Sequence, residues 1–97
     1  MQRKTVVELK EEAKLGIAFF KFVHMNTGEY RYCDILDQHC DLVEDGETAL
    51  SAGTVKLYPD KMVMEEVYSL TLKLGTMPED EDYLEKAFGV PMKSKWD

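Results

Sequence analysis

The feature that most constrains this chain is the stretch from Ile17 to Leu36, which holds five of its ten aromatic residues: Phe19, Phe20, Phe22, Tyr30 and Tyr32. Aromatic and β-branched side chains suit a pleated surface buried on one side. Asn26-Thr27-Gly28 interrupts the run with a turn signal, and Gly28 reaches positive φ without steric cost. A three-residue loop closing there sets Met25 opposite Glu29. Strand alternation then puts Phe20, Phe22, His24, Tyr30, Tyr32 and Leu36 on one face. The other face receives Phe19, Val23, Cys33 and Ile35, mixed with Lys21 and Arg31. The expectation is a central antiparallel hairpin over 17–36 with one strongly aromatic face.

Ahead of it, Thr5-Val6-Val7-Glu8 fits the capping-box pattern, with Thr5 as N-cap and Glu8 reaching back. Leu9, Ala13 and Leu15 continue an apolar stripe and Gly16 stops it, which predicts a helix over 6–15. A frayed strand using Val6 and Val7 is the rival. Beyond the hairpin lies an acidic segment, 37–50, in which Asp45-Gly46 reads as a hairpin-type turn between residues 41–44 and 47–50. A strand follows at 54–58, with Gly53 before it marking a bulge or a close backbone approach. Tyr68 to Leu74 alternates apolar and polar residues, so 65–74 reads as a second strand paired with 54–58. Pro78 suits the first turn of a helix over 78–88, and Glu79, Asp80, Glu81 and Asp82 suit the positive end of its dipole. Tyr83, Leu84, Ala87 and Phe88 supply the buried stripe. Gly89 and Pro91 end it, leaving a tail, 89–97, that is loose unless Trp96 docks.

At 97 residues the chain is expected to be a single domain. The fold class is α+β, a small antiparallel sheet of four to five strands with one or two covering helices. Phe20, Phe22, Tyr32, Leu70 and Leu72 are the expected core.

Charge narrows the partners. Nineteen acids against 12 bases give a net charge of −7, which repels a nucleic-acid backbone and an anionic membrane surface. No direct nucleic-acid or membrane partner is expected. No run resembles a membrane span or a secretory signal, and two cysteines do not make a disulfide framework. The expected location is the reducing cytoplasm.

Chemistry-bearing residues gather between Cys33 and Asp41. A metal set of His24, Cys33, His39 and Cys40 is conceivable, with Asp34, Asp37 and Asp41 nearby. Zinc sites, however, favour closely spaced cysteine pairs. These two cysteines stand seven apart, and neighbours His39 and Cys40 would point to opposite faces of a strand. A buried small hydrophobe, a loop thiol and solvated acids explain the cluster more simply. Cys40 with His24 as nucleophile and base has no support from spacing, and no phosphate-binding loop is present. No cofactor is expected, and a non-enzyme is favoured. The aromatic hairpin face lacks the basic groove of a base-stacking platform, so core packing explains it.

Six acids (Asp34, Asp37, Asp41, Glu44, Asp45 and Glu47) fall between Tyr32 and Val55 with no Lys or Arg among them. The leading expectation is a small acidic interaction domain, an inhibitor or adaptor. It would bind a basic protein surface through Asp37, Asp41, Glu44, Asp45 and Glu47. The alternative is a small-ligand or metal-binding domain built on His24, Cys33, His39 and Cys40. An exposed sheet edge would also permit a homodimer.

Overall fold

The chain runs β1 (Arg3–Lys4), α1 (Val6–Lys14), β2 (Ala18–Met25), β3 (Tyr30–Asp34), a 3-10 turn (His39–Leu42), β4 (Ala49–Leu57), β5 (Met62–Glu66), β6 (Tyr68–Ser69), β7 (Leu74–Gly75), α2 (Pro78–Phe88) and β8 (Met92–Ser94). The structure, a computed structural model, describes residues 3–94. Trp96 lies outside the described residues.

The fold is α+β. Its main sheet has six strands in the order β1-β3-β2-β4-β5-β8, and β6 and β7 form a separate two-stranded ribbon. The hairpin β2–β3 pairs His24 with Tyr30 and Phe22 with Tyr32. Its loop closes as the turn residues dictate: Gly28 takes φ 93°, its N–H bonds Met25 O, and Met25 N–H bonds Glu29 O. The strand β4 pairs with β2 along its whole length, from Ala18↔Leu57 to Met25↔Ala49. The sheet is larger than the expected four or five strands, and it is mixed. Two residues of β1 pair with β3, and β8 pairs with β5 in parallel. A parallel neighbour needs a crossover. The helix α2 lies between the two strands in sequence, so the chain re-enters the sheet running in the direction of β5.

Both faces of the sheet carry a core. On one face Phe20, Phe22, Tyr30, Tyr32, Val55, Met62 and Met64 meet Leu9 and Ala13 of α1 and Leu84 and Phe88 of α2. The ring of Phe20 stacks on Phe88 at 5.2 Å and meets Tyr32 edge-on at 5.6 Å. The start of α1 is held as its sequence predicts, with Glu8 N–H bonding Thr5 Oγ1 and Thr5 N–H bonding Glu8 Oε1. On the opposite face Val23, Met25, Cys33, Leu42 and Ala52 form a second, smaller core, closed by half-buried Leu72 and Leu74. Gly53 stands opposite Phe22, where a Cβ would lie 2.8 Å from the ring and 2.5 Å from Thr76 Oγ1. The glycine marks a close approach.

Further expectations need correction, among them Leu15 and Tyr83, which were expected on buried stripes and are exposed. The expected strand 65–74 is broken. The strand β5 ends at Glu66, and residues 70–73 turn the chain between β6 and β7. The Ser69 hydroxyl causes this by accepting the Leu72 N–H at 3.3 Å, which offers the backbone a turn in place of a ladder. Leu70 is consequently 84% exposed instead of buried. Residues 41–44 form no strand either. Asp41 Oδ2 accepts the Gln38 N–H, closing the 3-10 turn that drives Leu42 into the second core. Finally, Leu36 leaves the aromatic face, because the Asp34 carboxylate accepts the Leu36 N–H and turns the chain outward.

Candidate functional site

The acidic segment lies in the connection between β3 and β4 and divides into supporting and outward-facing residues. Glu47 is a support. Its two carboxylate oxygens engage the two terminal nitrogens of Arg31, with Arg31 Nη1 to Oε1 at 2.6 Å. Arg31 is buried, and the same Nη1 bonds the carbonyl of Leu42 at 2.8 Å. Paired, planar bonds of this kind fix geometry as well as charge. The Arg31 guanidinium, and the Glu44 N–H behind it, hold the Glu47 carboxyl down at about 2. Glu47 is therefore committed within the chain. Asp41, Glu44 and Asp45 are exposed, and Asp37 is half-buried. Glu44 lies 3.9 Å from Arg3, a long and exposed ion pair of little energetic weight. Asp45 makes no ion pair among the described residues. The base of this loop is thus fixed by a buried arginine, and three carboxylates face outward.

The four residues of the metal alternative do not converge. His24 lies on the helix-covered face, stacked on Tyr30 at 4.2 Å. Cys33 is buried in the opposite core, where burial pushes its thiol up to about 12, so it remains a neutral thiol. His39 is buried with Nε2 lying 2.7 Å from Gly53 O, and Cys40 is half-buried beside it. Strand alternation separates His24 from Cys33, and the 3-10 turn holds His39 against β4. Among the described residues no three His, Cys, Asp or Glu side chains gather as a metal would require.

The most concentrated polar cluster was not anticipated from sequence. Asp80 is fully buried, yet it accepts from the Tyr30 hydroxyl at 2.5 Å, the Ser51 hydroxyl at 3.0 Å and the Met77 N–H at 2.8 Å. His24 Nδ1 stands 3.5 Å from the same carboxylate without making a hydrogen bond. Tyr30 is stacked between His24 and Tyr83. Burial, and then the Asp80 carboxylate accepting its proton, push the Tyr30 phenol far above its ordinary value. With Asp80, Ser51 and Tyr30 all buried, the cluster presents no face to a substrate. What it does is join the first turn of α2 to β3 and β4. The sequence reading assigned Asp80 to the helix dipole. A serine inside the apolar run of β4 was the available signal for a buried partner.

No protein-family model, curated protein or solved structure matches this chain. Among the described residues no helix is long and apolar enough to cross a membrane.

Proposed function

We propose that this chain is a small non-enzymatic interaction domain, an inhibitor or adaptor of the cytoplasm, that engages a basic protein surface through its acidic loop. One observation carries the reading. Asp41, Glu44 and Asp45 are held outward on a loop whose base is clamped by the Arg31–Glu47 pair. A loop whose base is already held loses less backbone freedom on binding, which favours association. The net charge of −7 adds long-range attraction toward a basic partner and repulsion from nucleic acid and anionic lipid. Asp37 belongs to the rim of this surface. Glu47 is its support and not a contact, because using it would release a buried guanidinium.

Isolation of the partner by affinity capture from the native host supplies the second component for the test. Association and dissociation rates are then measured for wild type and for the triple variant Asp41→Lys, Glu44→Lys and Asp45→Lys. The variant should associate more slowly with little change in dissociation, since rim charges act mainly on the encounter. Equal association rates would sink the reading.

A further inference from the structure

On the helix-covered side of the sheet, a cleft of about 100 Å³ opens between α1, the end of α2 and the turn from β4 to β5. We propose that this cleft binds a small carboxylic acid with a short, branched aliphatic body, its carboxylate held by Lys10 and Lys14. The site uses no residue of the acidic loop, so it goes beyond the interaction reading and does not depend on it.

Apolar residues at the end of the larger core make the cleft. Lys10, Ala13 and Lys14 stand three and four positions apart, so they share one face of α1. Ala13, Leu57 and Phe88 are buried and form the floor, which half-buried Val90 continues. The methyl group of Ala13 leaves the space that a longer side chain would fill. Tyr58 and Pro59 supply the wall on the sheet side. Their turn is closed by the Tyr58 N–H, which bonds Lys61 O at 2.8 Å. The strand β8 does not cover this end. It starts beside Met62, the partner of Leu57, and runs away toward Met64.

The charge of the lining selects the ligand. Its two charged side chains are both lysines, and no acid of the described residues lines it. Both lysines are exposed. Such side chains lay their stems along apolar surface and keep the ammonium in water, which puts the positive charge at the mouth. Lys10 forms no ion pair with any described residue. Lys14 lies 3.0 Å from Glu11, an exposed pair of little energetic weight. A third ammonium, that of Lys61, stands 5.1 Å from the centre of the Tyr58 ring. An inorganic anion would meet the lysines and leave the apolar floor wet. A neutral hydrocarbon would cover the floor and leave the lysines unused. A carboxylate on an aliphatic body does both. Volume limits that body. A benzene ring takes an apolar cavity of roughly 150 Å³, so this smaller cleft suits a branched chain of about four carbons. The net charge of −7 does not prevent binding, because charges more than roughly 8 Å away are largely screened at physiological salt.

The test titrates isovalerate into isotope-labelled protein and follows backbone amide shifts. Two controls divide its chemistry. Isovaleramide keeps the shape and removes the charge, and acetate keeps the charge and removes the body. Saturable millimolar binding is expected, as so small a ligand allows, with shifts confined to residues 10–14, 57–58 and 88–90. Isovalerate should bind at least about threefold tighter than either control. Lys10→Gln combined with Lys14→Gln should lower its affinity to that of isovaleramide while leaving the melting temperature nearly unchanged, because both lysines are exposed. Absence of saturable shifts at these residues, equal binding of isovalerate and either control, or full affinity in the double variant overturns the proposal. Failure here leaves the acidic-loop reading standing, because that reading is tested by the association rate of a different partner at Asp41, Glu44 and Asp45.

Discussion

At the scale of single residues, two carboxylates decide how this chain is held, and they differ in how visible they are. Asp80 accepts from Tyr30, Ser51 and its own helix start. Asp80→Ala leaves two buried hydroxyls without an acceptor, and should cost roughly 3 kcal/mol in a denaturant titration. A loss below about 1 kcal/mol would show that the cluster is solvated and not buried. Ser51 within the apolar run of β4 signals a buried partner but does not name Asp80, because the side-chain partners of Asp80 stand 50 and 29 positions away. Sequence spacing reports only neighbours on one element. Glu47 behaves in the same way: the sequence places it among free acids, and only the fold brings Arg31 to it. Its folded value of about 2 lies below the ordinary 4.5 because Arg31 donates to it. A lowered carboxyl pKa stabilises the fold fully above the ordinary value, and that contribution is lost as pH falls toward the folded one. Glu47→Gln should therefore flatten the stability profile between about pH 4.5 and 2 and lower the plateau above it. An unchanged profile would mean that the Arg31 clamp is absent in solution.

At the scale of elements, the helices and the central hairpin were readable, and the segment after β5 was not. Helix α1 has a complete capping box, α2 has Pro78 and a run of acids, and the hairpin has Gly28 at the one position where positive φ is needed. Each signal is local, and in α1 the capping box outweighs the rival strand reading of Val6 and Val7. Tyr68 to Leu74 alternates as a strand should, but the Ser69 hydroxyl and the conformation of Lys73 (φ 56°) bend it into a turn. Alternation then serves a different end, with Leu72 and Leu74 packed against the second core and Leu70 left outside. Lys73→Gly distinguishes the two arrangements by sign. In the turn it relieves a left-handed residue and should raise stability by about 0.5 kcal/mol, whereas in a regular strand it would lower stability by a similar amount. The melting temperature reads the sign directly. The extra strands were hidden because β1, at two residues, and β8, at three, are too short to show any period.

At the scale of the whole molecule, the sheet has a core on each face, so most apolar residues are already used in folding. The two-residue β1 edge carries Arg3 and Lys4, a short charged edge that discourages strand addition. The acidic loop stays exposed, as do Leu36 and Leu70. Exposed charges contribute little to stability, so Glu44→Lys and Asp45→Lys should fold as well as wild type, whereas Asp41→Lys also removes the acceptor of the Gln38 N–H and should cost about 1 kcal/mol. The effect of the triple change on binding belongs to encounter, acting over a Debye length of roughly 8 Å at physiological salt. The decisive measurement is the association rate of wild type and triple variant with the captured basic partner at low and at physiological salt. A basic partner drawn in by the acidic loop gives a wild-type rate that falls steeply with salt. The variant should be slower by about tenfold at low salt and nearly insensitive to it. Two proteins with the same rate and the same salt slope would contradict the account.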